Sequence, residues 1–238
     1  MIIMVAAAKR FWKETDVTGT DDGWMIMLDG RAVKTPAGRP VALSSQKLAE
    51  AVGAEWKAQE ENIIPATMPH FRYVVTAIDR VTPQRGDIIN QLVGFSGNDL
   101  ICYRDPDQLE LASEQSMGWN PLLEWAESQH GIKLHIGAGV MPVKQDAETL
   151  LTAENWLSDK DDFRLAGLYN LISLSGSFVI GVAIEQGRLA VEDGFDLAFL
   201  DELWQVRKWG DDAEAEDRRQ TIKQDMIEAK SYLSLLDQ

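Results

Sequence analysis

The sequence WMIMLDGRAVKT, residues 24–35, places Asp29-Gly30 between two runs that favour extended backbone. Both central residues of a type I′ hairpin turn need positive φ, which Asp and Gly adopt more readily than most residues. The stretch therefore predicts a β-hairpin with one strand at 24–28 and the other at 31–35.

The residues on both sides of this hairpin extend the strand-rich region. Arg10-Phe11-Trp12-Lys13 opens it, and the prolines and glycine of 36–40 indicate a loop before a further strand at 41–43. A helix follows, which Ser44 or Ser45 can cap and which ends near Glu61. Residues 63–71 hold two prolines and are predicted to be extended.

Helical signals dominate the rest of the chain. Asn120-Pro121 predicts a helix start and Gly131 its end, because proline suits the first turn and glycine the C-terminal cap. Further helices are predicted at 147–158, 163–185, 193–209 and 212–236. Strands followed by helices indicate the α+β class. We expect an N-terminal β-rich domain with one helix at 1–82 and a larger, mostly α-helical domain at 83–238.

The charge balance limits the possible partners. The net charge is -15 at pH 7, and the sequence pI is about 4.6. Such a chain repels phosphate backbones and anionic membranes, so no nucleic acid and no membrane are expected as partners. The acidity fits either a basic protein surface or solubility alone. No feature indicates self-association, and a monomer is expected.

Two features bear on the compartment. Cys102 is the single cysteine, which excludes an internal disulfide and fits a reducing compartment and a buried position. Residues 165–184 carry no charge and are long enough to cross a bilayer, but they contain several serines and glycines without flanking Lys or Arg clusters. A buried helix or helix pair is the better interpretation, and a cytoplasmic protein is expected.

Motifs for catalysis or cofactor binding are missing from the sequence. There is no phosphate-binding loop, no dinucleotide fingerprint, no nucleophile elbow and no zinc-binding pair of histidines or cysteines. His130 and His135 flank a predicted helix end, where polar surface or a helix-end cation is the ordinary role and a metal-binding pair is the weaker alternative. We expect no catalytic residue, no metal and no cofactor.

Acidic residues cluster at the start of the last predicted helix: Asp211, Asp212, Glu214, Glu216 and Asp217. They oppose the positive end of the helix dipole, or they form an acidic patch for a basic partner. Trp204 and Trp209 lie beside them and are interface candidates, since tryptophan is enriched in binding hot spots. Trp56 shares a helical face with Leu48 and Val52, which indicates core packing.

A series of short blocks stands out along nearly the whole chain: Arg10-Phe11-Trp12-Lys13, Leu28-Asp29-Gly30-Arg31 with Thr35-Pro36, Ala54-Glu55-Trp56-Lys57-Ala58-Gln59, Asn98-Asp99-Leu100-Ile101-Cys102-Tyr103-Arg104, Trp119-Asn120-Pro121-Leu122-Leu123-Glu124-Trp125, Gly176-Ser177-Phe178 and Lys208-Trp209-Gly210. In this order they resemble the assembly chaperone family of the F-type ATP synthase alpha subunit. Two positions depart from the family pattern, Asn98 in place of Thr and Asn120 in place of Asp, and both keep a short capping side chain.

The resemblance implies a two-domain α+β chaperone without a cofactor. It implies binding to the free alpha subunit and shielding of its beta-contacting surface until beta displaces the chaperone. It also implies that Trp56 is functionally sensitive and that acidic positions near the C-terminus matter, which we place at Glu202 and Glu214. The members are mitochondrial matrix proteins and alphaproteobacterial relatives, and this chain looks like a bacterial, cytoplasmic one.

Two other functions stay open at this point. An acidic-cleft hydrolase would need convergent titratable groups in a concave site. A structural subunit would remain in a stable complex at fixed stoichiometry, whereas a chaperone would be absent from the finished enzyme.

Overall fold

The computed structural model describes residues 8–139, 141–210 and 212–237. The chain folds into two compact units. The first runs to Pro83 and also takes in Asp162–Ala166 and the residues from Ser231 onward. The second comprises Gln84–Asp161 and Gly167–Lys230. The domain boundary between residues 82 and 83 stays a prediction.

A three-stranded antiparallel sheet forms the first unit's strand-rich part. Strand β1 (Thr15–Thr20) pairs with β2 (Gly23–Leu28), which pairs with β3 (Arg31–Ala32). The turn between β2 and β3 has φ 48° at Asp29 and 76° at Gly30. The predicted hairpin is confirmed. The predicted strand at 41–43 is reduced to one bridge, in which Leu43 exchanges both backbone hydrogen bonds with Trp24.

Helix α1 (Gln46–Ala58) begins where the sequence predicts a cap. The Ser45 hydroxyl accepts the Leu48 backbone N–H at 3.1 Å, and Leu48, Val52 and Trp56 are all buried. A Cβ at Gly53 would lie 2.8 Å from the Val17 side chain of β1. Glycine therefore lets this helix lie directly against the sheet.

The prediction that 63–71 is extended is wrong. A 3₁₀ turn at Pro65–Thr67 leads into α2 (Pro69–Thr76), followed by a π-helical turn at Ala77–Val81. Proline at the first helical position has no N–H to satisfy. The next two backbone N–H groups, those of His70 and Phe71, donate to the Glu55 carboxylate at 2.8 and 2.9 Å. A side chain of α1 thus caps α2.

Helices dominate the second unit: α3 (Arg85–Gly97), α4 (Leu109–His130), α5 (Ala147–Ser158), most of α6 (Asp162–Ser175), α7 (Phe178–Glu185), α8 (Val191–Ala198), α9 (Leu200–Trp209) and most of α10 (Ala213–Ser234). Strands β4 (Tyr103–Arg104) and β5 (Gly137–Ala138) form one short parallel pair. The predicted α+β class is confirmed.

The predicted helix start at Asn120-Pro121 is wrong, because Pro121 lies inside α4. The helix begins eleven residues earlier, where the Asp105 carboxylate accepts the backbone N–H groups of Asp107 and Gln108 at 2.8 and 2.6 Å. The predicted end is confirmed: Gly131 has φ 68° and its N–H donates to the Glu127 carbonyl.

Two long predicted helices are each divided in the structure. The segment 163–185 breaks at Gly176 (φ 67°), after which the Ser177 hydroxyl caps α7. The segment 193–209 breaks at Phe199, between α8 and α9. Every residue of α7 before Glu185 is buried. Within the described ranges, no helix is both long and apolar enough to span a membrane.

Candidate partner-binding surface

Glu202 on α9 is held between two arginines of α10. Its carboxylate oxygens lie 2.7 Å from Arg218 and 2.7 Å from Arg219, and the Arg219 side chain is only 5% exposed. Partial burial raises the pKa of Glu202, but the hydrogen bonds from Arg219 and Arg218 outweigh it, so this pKa stands below its usual value. Glu202 therefore joins two helices and is already engaged.

The two tryptophans of α9 differ sharply in exposure. Trp204 is buried at 4%, so its predicted place at an interface is corrected to the core of the second unit. Trp209 is 73% exposed and packs edge to face on Trp204, with ring centroids 5.6 Å apart. A buried ring thus supports an exposed one, which fixes Trp209 as a rigid apolar surface group.

Two further exposed apolar side chains lie on α4, Leu109 at 84% and Met117 at 69%. Ion pairs join this helix to α9, because Lys208 contacts Glu110 at 2.7 Å and Arg207 contacts Glu114. Glu110, Glu114 and Met117 are spaced i, i+4 and i+7, so they share one face of α4. We call Leu109, Met117 and Trp209, with these two ion pairs, the α4–α9 surface.

Within the acidic cluster at the start of α10, Asp212 has a structural role. The Asp212 carboxylate accepts the backbone N–H groups of Glu214 and Ala215 at 2.9 and 3.1 Å, which caps the helix. Asp211 lies outside the described residues. The Glu214 side chain is exposed, and its role in partner binding stays a prediction.

Trp56 belongs to the first unit and is buried there at 8% exposure, as predicted. Its ring packs edge to face on Trp12 and on Phe71, with centroid distances of 5.1 and 5.0 Å. The indole N–H of Trp56 is buried without a hydrogen-bond partner among the described residues. The functional sensitivity of this residue stays an implication of the family.

Three of the quoted sequence blocks meet inside the second unit. Asp99 is fully buried and accepts the backbone N–H groups of Ile101 and Val179 at 3.2 and 3.1 Å. Burial raises the pKa of this carboxyl to about 6, although hydrogen bonds from the Ser177 side chain and from nearby backbone N–H groups lower it in part. Arg104 lies 5.0 Å from the Trp119 ring centroid. These blocks therefore hold the core together.

Comparison with known proteins identifies the family. The family model described as ATP12 chaperone protein matches residues 9–127. The chain belongs to the ATP12 chaperone family. This confirms the resemblance to the assembly chaperone family of the ATP synthase that the sequence blocks indicated.

Relatives of this family cover most of the chain. Protein atp12 of Schizosaccharomyces pombe is 29% identical over 85% of this chain and 74% of its own length. Protein ATP12 of Saccharomyces cerevisiae is 24% identical over 92% of this chain and 80% of its own length. Both relatives are named as mitochondrial proteins. The crystal structure of Atp12 from Paracoccus denitrificans superposes with a TM-score of 0.93, at 34% identity over 96% of this chain and 98% of that one.

One cavity brings together two carboxylates of the kind that a hydrolase would need. Asp105 and Asp201 line one cavity of about 360 Å³ in the second unit. Asp105 accepts the backbone N–H groups of the turn just before α4, and Asp201 accepts the side-chain amide of the buried Gln115 at 2.8 Å. Both carboxylates are thus engaged in holding helices, which does not favour general acid–base chemistry.

The histidines are also engaged. His70 contacts Glu55 and His135 contacts Asp146, each at 2.7 Å, while His130 lies 3.2 Å from the Gln186 side chain. Across the residues that the structure describes, no cluster of three His, Cys, Asp or Glu side chains is placed to hold a metal ion.

Sequence reasoning found Trp209 but missed Leu109 and Met117. The helix was predicted to begin at 120, so both residues fell outside it and their shared surface could not be recognised. The turn-forming Asp105, four residues before Leu109, was the available signal, since its carboxylate accepts the backbone N–H groups of the two residues before the helix.

Proposed function

We propose that this ATP12-family chaperone binds the free alpha subunit of an F-type ATP synthase through the α4–α9 surface. It covers the beta-contacting face of alpha until beta displaces it. The observation that carries the proposal is the rigid, exposed Trp209, with Leu109 and Met117, around two ion pairs in a member of this family. The chaperone acts without catalysis or a cofactor, as a monomer in the bacterial cytoplasm.

The composition of this surface suits a temporary interface. Large apolar groups that water reaches are costly to leave exposed, so a rigid exposed tryptophan is an effective binding anchor. The pairs Lys208–Glu110 and Arg207–Glu114 lie between these apolar groups, and their charges can also meet charges on a partner. Anchors supply affinity, while charges of this kind supply orientation and salt dependence.

A chaperone of this kind has to bind less tightly than the final partner. If alpha exposed its beta-contacting face alone, that face would pair wrongly or aggregate. Beta replaces the chaperone when its own contacts with alpha are the stronger ones, and mass action then releases the chaperone. A few apolar groups beside charged pairs fit this requirement better than a large apolar interface does.

The test is capture of purified, separately expressed alpha and beta subunits by the immobilised chain, at low and at high salt. We expect capture of alpha but not of beta, weaker capture at high salt, and release of alpha when beta is added. If neither subunit is captured at low salt, the proposal is wrong.

The same experiment separates a chaperone from a structural subunit. A structural subunit would stay bound after beta is added and would purify with the assembled enzyme at fixed stoichiometry. Release of the chain, together with its absence from the assembled enzyme, supports the chaperone.

A further inference from the structure

The first unit contains a groove of about 360 Å³ that the proposed α4–α9 surface does not use. It is lined by Phe11, Leu28, residues 31–34 and Trp56. Leu28 and Trp56 are buried, while Phe11 is 71% exposed. The first three quoted sequence blocks therefore meet at one concave, largely apolar feature.

Phe11 is exposed although its segment is firmly held. The Arg10 guanidinium donates to the carbonyls of Trp12 and Lys13 at 3.0 and 3.2 Å, and also to the Gln59 carbonyl. On the other side, the Asp29 carboxylate accepts the Lys13 backbone N–H at 3.0 Å. A rigid exposed aromatic loses little conformational entropy when it binds, which is the property of a contact residue.

The ring of Phe11 continues a row of aromatic side chains into the interior. Phe11 packs edge to face on Trp12 at 5.1 Å, and Trp12 packs in the same way on Trp56 at 5.1 Å. Trp56 also lines the groove, so this row of rings joins the exposed Phe11 to the buried part of the groove wall.

The charges of the groove have one sign. Among the described residues that line it, the charged ones are Arg31 and Lys34, and both are exposed. Neither side chain has an ion-pair partner in the part of the chain that the structure describes. In a protein with a net charge of -15, two such cations beside an apolar groove select for negative charge.

We infer that this groove binds an extended, acidic segment of the client protein, in which an apolar side chain packs against Phe11 and Trp56 while Asp or Glu residues on either side of it meet Arg31 and Lys34. The identity of the client as the alpha subunit rests on the proposed function. The chemistry of the segment rests on the groove itself. The groove is thus a second client contact, in the unit that does not carry the α4–α9 surface.

The first test uses two fluorescein-labelled 12-residue peptides and the full chain. Both peptides have a central Leu-Phe pair; one has Asp and Glu flanks and the other has Lys and Arg flanks. By fluorescence anisotropy we expect the acidic peptide to bind about tenfold tighter than the basic one at low salt. Equal binding of both, or no binding of the acidic peptide up to about 1 mM, would overturn the inference.

Variants locate the binding to the groove. Phe11→Ser should weaken binding of the acidic peptide about fivefold, since it removes the exposed aromatic ring. The double variant Arg31→Glu with Lys34→Glu should remove or reverse the preference for the acidic peptide. The matched controls are Ile64→Ser, an exposed apolar residue elsewhere in this unit, and Lys144→Glu in the second unit. Controls that weaken binding as strongly as the groove variants would contradict the assignment.

The second test measures capture of the purified alpha subunit by the same variants. Unchanged capture by the groove variants would show that the inference is wrong, although the proposed function would stand. If alpha is not captured but the acidic peptide still binds in the groove, the proposed function fails and the groove remains a site for acidic segments. If the groove variants capture alpha more weakly and the control variants do not, the result supports both the groove inference and the proposed function.

Discussion

The Glu202 carboxylate on α9 lies 2.7 Å from the guanidinium of Arg219 on α10, whose side chain is 5% exposed. A second arginine, Arg218, contacts the other carboxylate oxygen at 2.7 Å. The family resemblance implies that the Glu202 carboxylate meets a partner. The structure shows that it first compensates two cations within the second unit, so a change at this position acts on stability as well as on binding.

Glu202→Lys should therefore destabilise the protein. The change places three cations together and leaves a buried guanidinium without its carboxylate, which costs on the order of 3 kcal/mol. Urea unfolding at pH 7 measures the effect. Glu214→Lys is the matched control, because Glu214 is exposed at the start of α10 and its reversal costs about 1 kcal/mol or less through the helix dipole. Equal losses in both variants would contradict this role of Glu202.

Trp209 and Trp204 form a second matched pair, 5.6 Å apart and differing in burial. Trp209→Ala should leave the free energy of unfolding within about 1 kcal/mol, because surface truncations seldom cost more, yet weaken capture of the alpha subunit about tenfold or more. Trp204→Ala should cost about 3–5 kcal/mol in stability.

Thermal unfolding and alpha capture distinguish the two variants. Leu151→Ser on α5 tests whether loss of any exposed apolar residue is enough, since Leu151 is 55% exposed outside the α4–α9 surface. If Trp209→Ala captured the alpha subunit as well as the wild type does, the α4–α9 surface would not be the binding surface.

Local sequence signals predicted several features of the fold correctly. The Asp29-Gly30 turn, the Ser45 cap and the Gly131 helix end each depend on the conformational preferences of residues within one turn. Such preferences act over a few residues, so they can be recognised in the sequence without knowledge of the rest of the fold.

The features that were missed depend on contacts at longer range. Helix α2 is capped by Glu55, which precedes its bonded N–H groups by fifteen and sixteen residues. Pro121 is accommodated inside α4 because that helix packs against other helices along its length, and packing outweighs local preference. The exposure of Trp209 and burial of Trp204 likewise depend on which helix covers which face, and sequence spacing does not show this.

Trp56→Ala should lower stability more than it lowers binding by the molecules that remain folded. The ring packs between Trp12 and Phe71, and truncation of a buried tryptophan costs about 3–5 kcal/mol. Trp56→Phe keeps an aromatic ring and should recover a large part of that stability. Calorimetry and alpha capture at matched concentrations of folded protein test this. A variant that keeps its melting temperature but loses capture would show a direct binding role instead.

Asp99 should make the stability of the second unit depend on pH in a way that one variant can isolate. The carboxyl is fully buried, and its burial raises its pKa from 3.8 to about 6. The folded protein therefore holds this proton more tightly than the unfolded chain does. The resulting stabilisation is complete below about pH 4 and is lost as the pH rises through about 6.

A pKa difference of one is worth about 1.4 kcal/mol, and pH 4 lies just above the unfolded pKa of 3.8, so Asp99 alone should remove about 2 kcal/mol of stability between pH 4 and pH 7. Asp99→Asn cannot titrate. Its single side-chain oxygen has to serve the N–H groups of Ile101 and Val179, so the variant should be less stable than the wild type at pH 4, and its own stability should carry no contribution from this titration. Urea unfolding of both proteins from pH 4 to pH 7 separates the two effects. The difference in unfolding free energy between wild type and variant should narrow as the pH rises, because only the wild type loses the contribution of a bound proton. Parallel plots of unfolding free energy against pH would show that Asp99 does not titrate in this range.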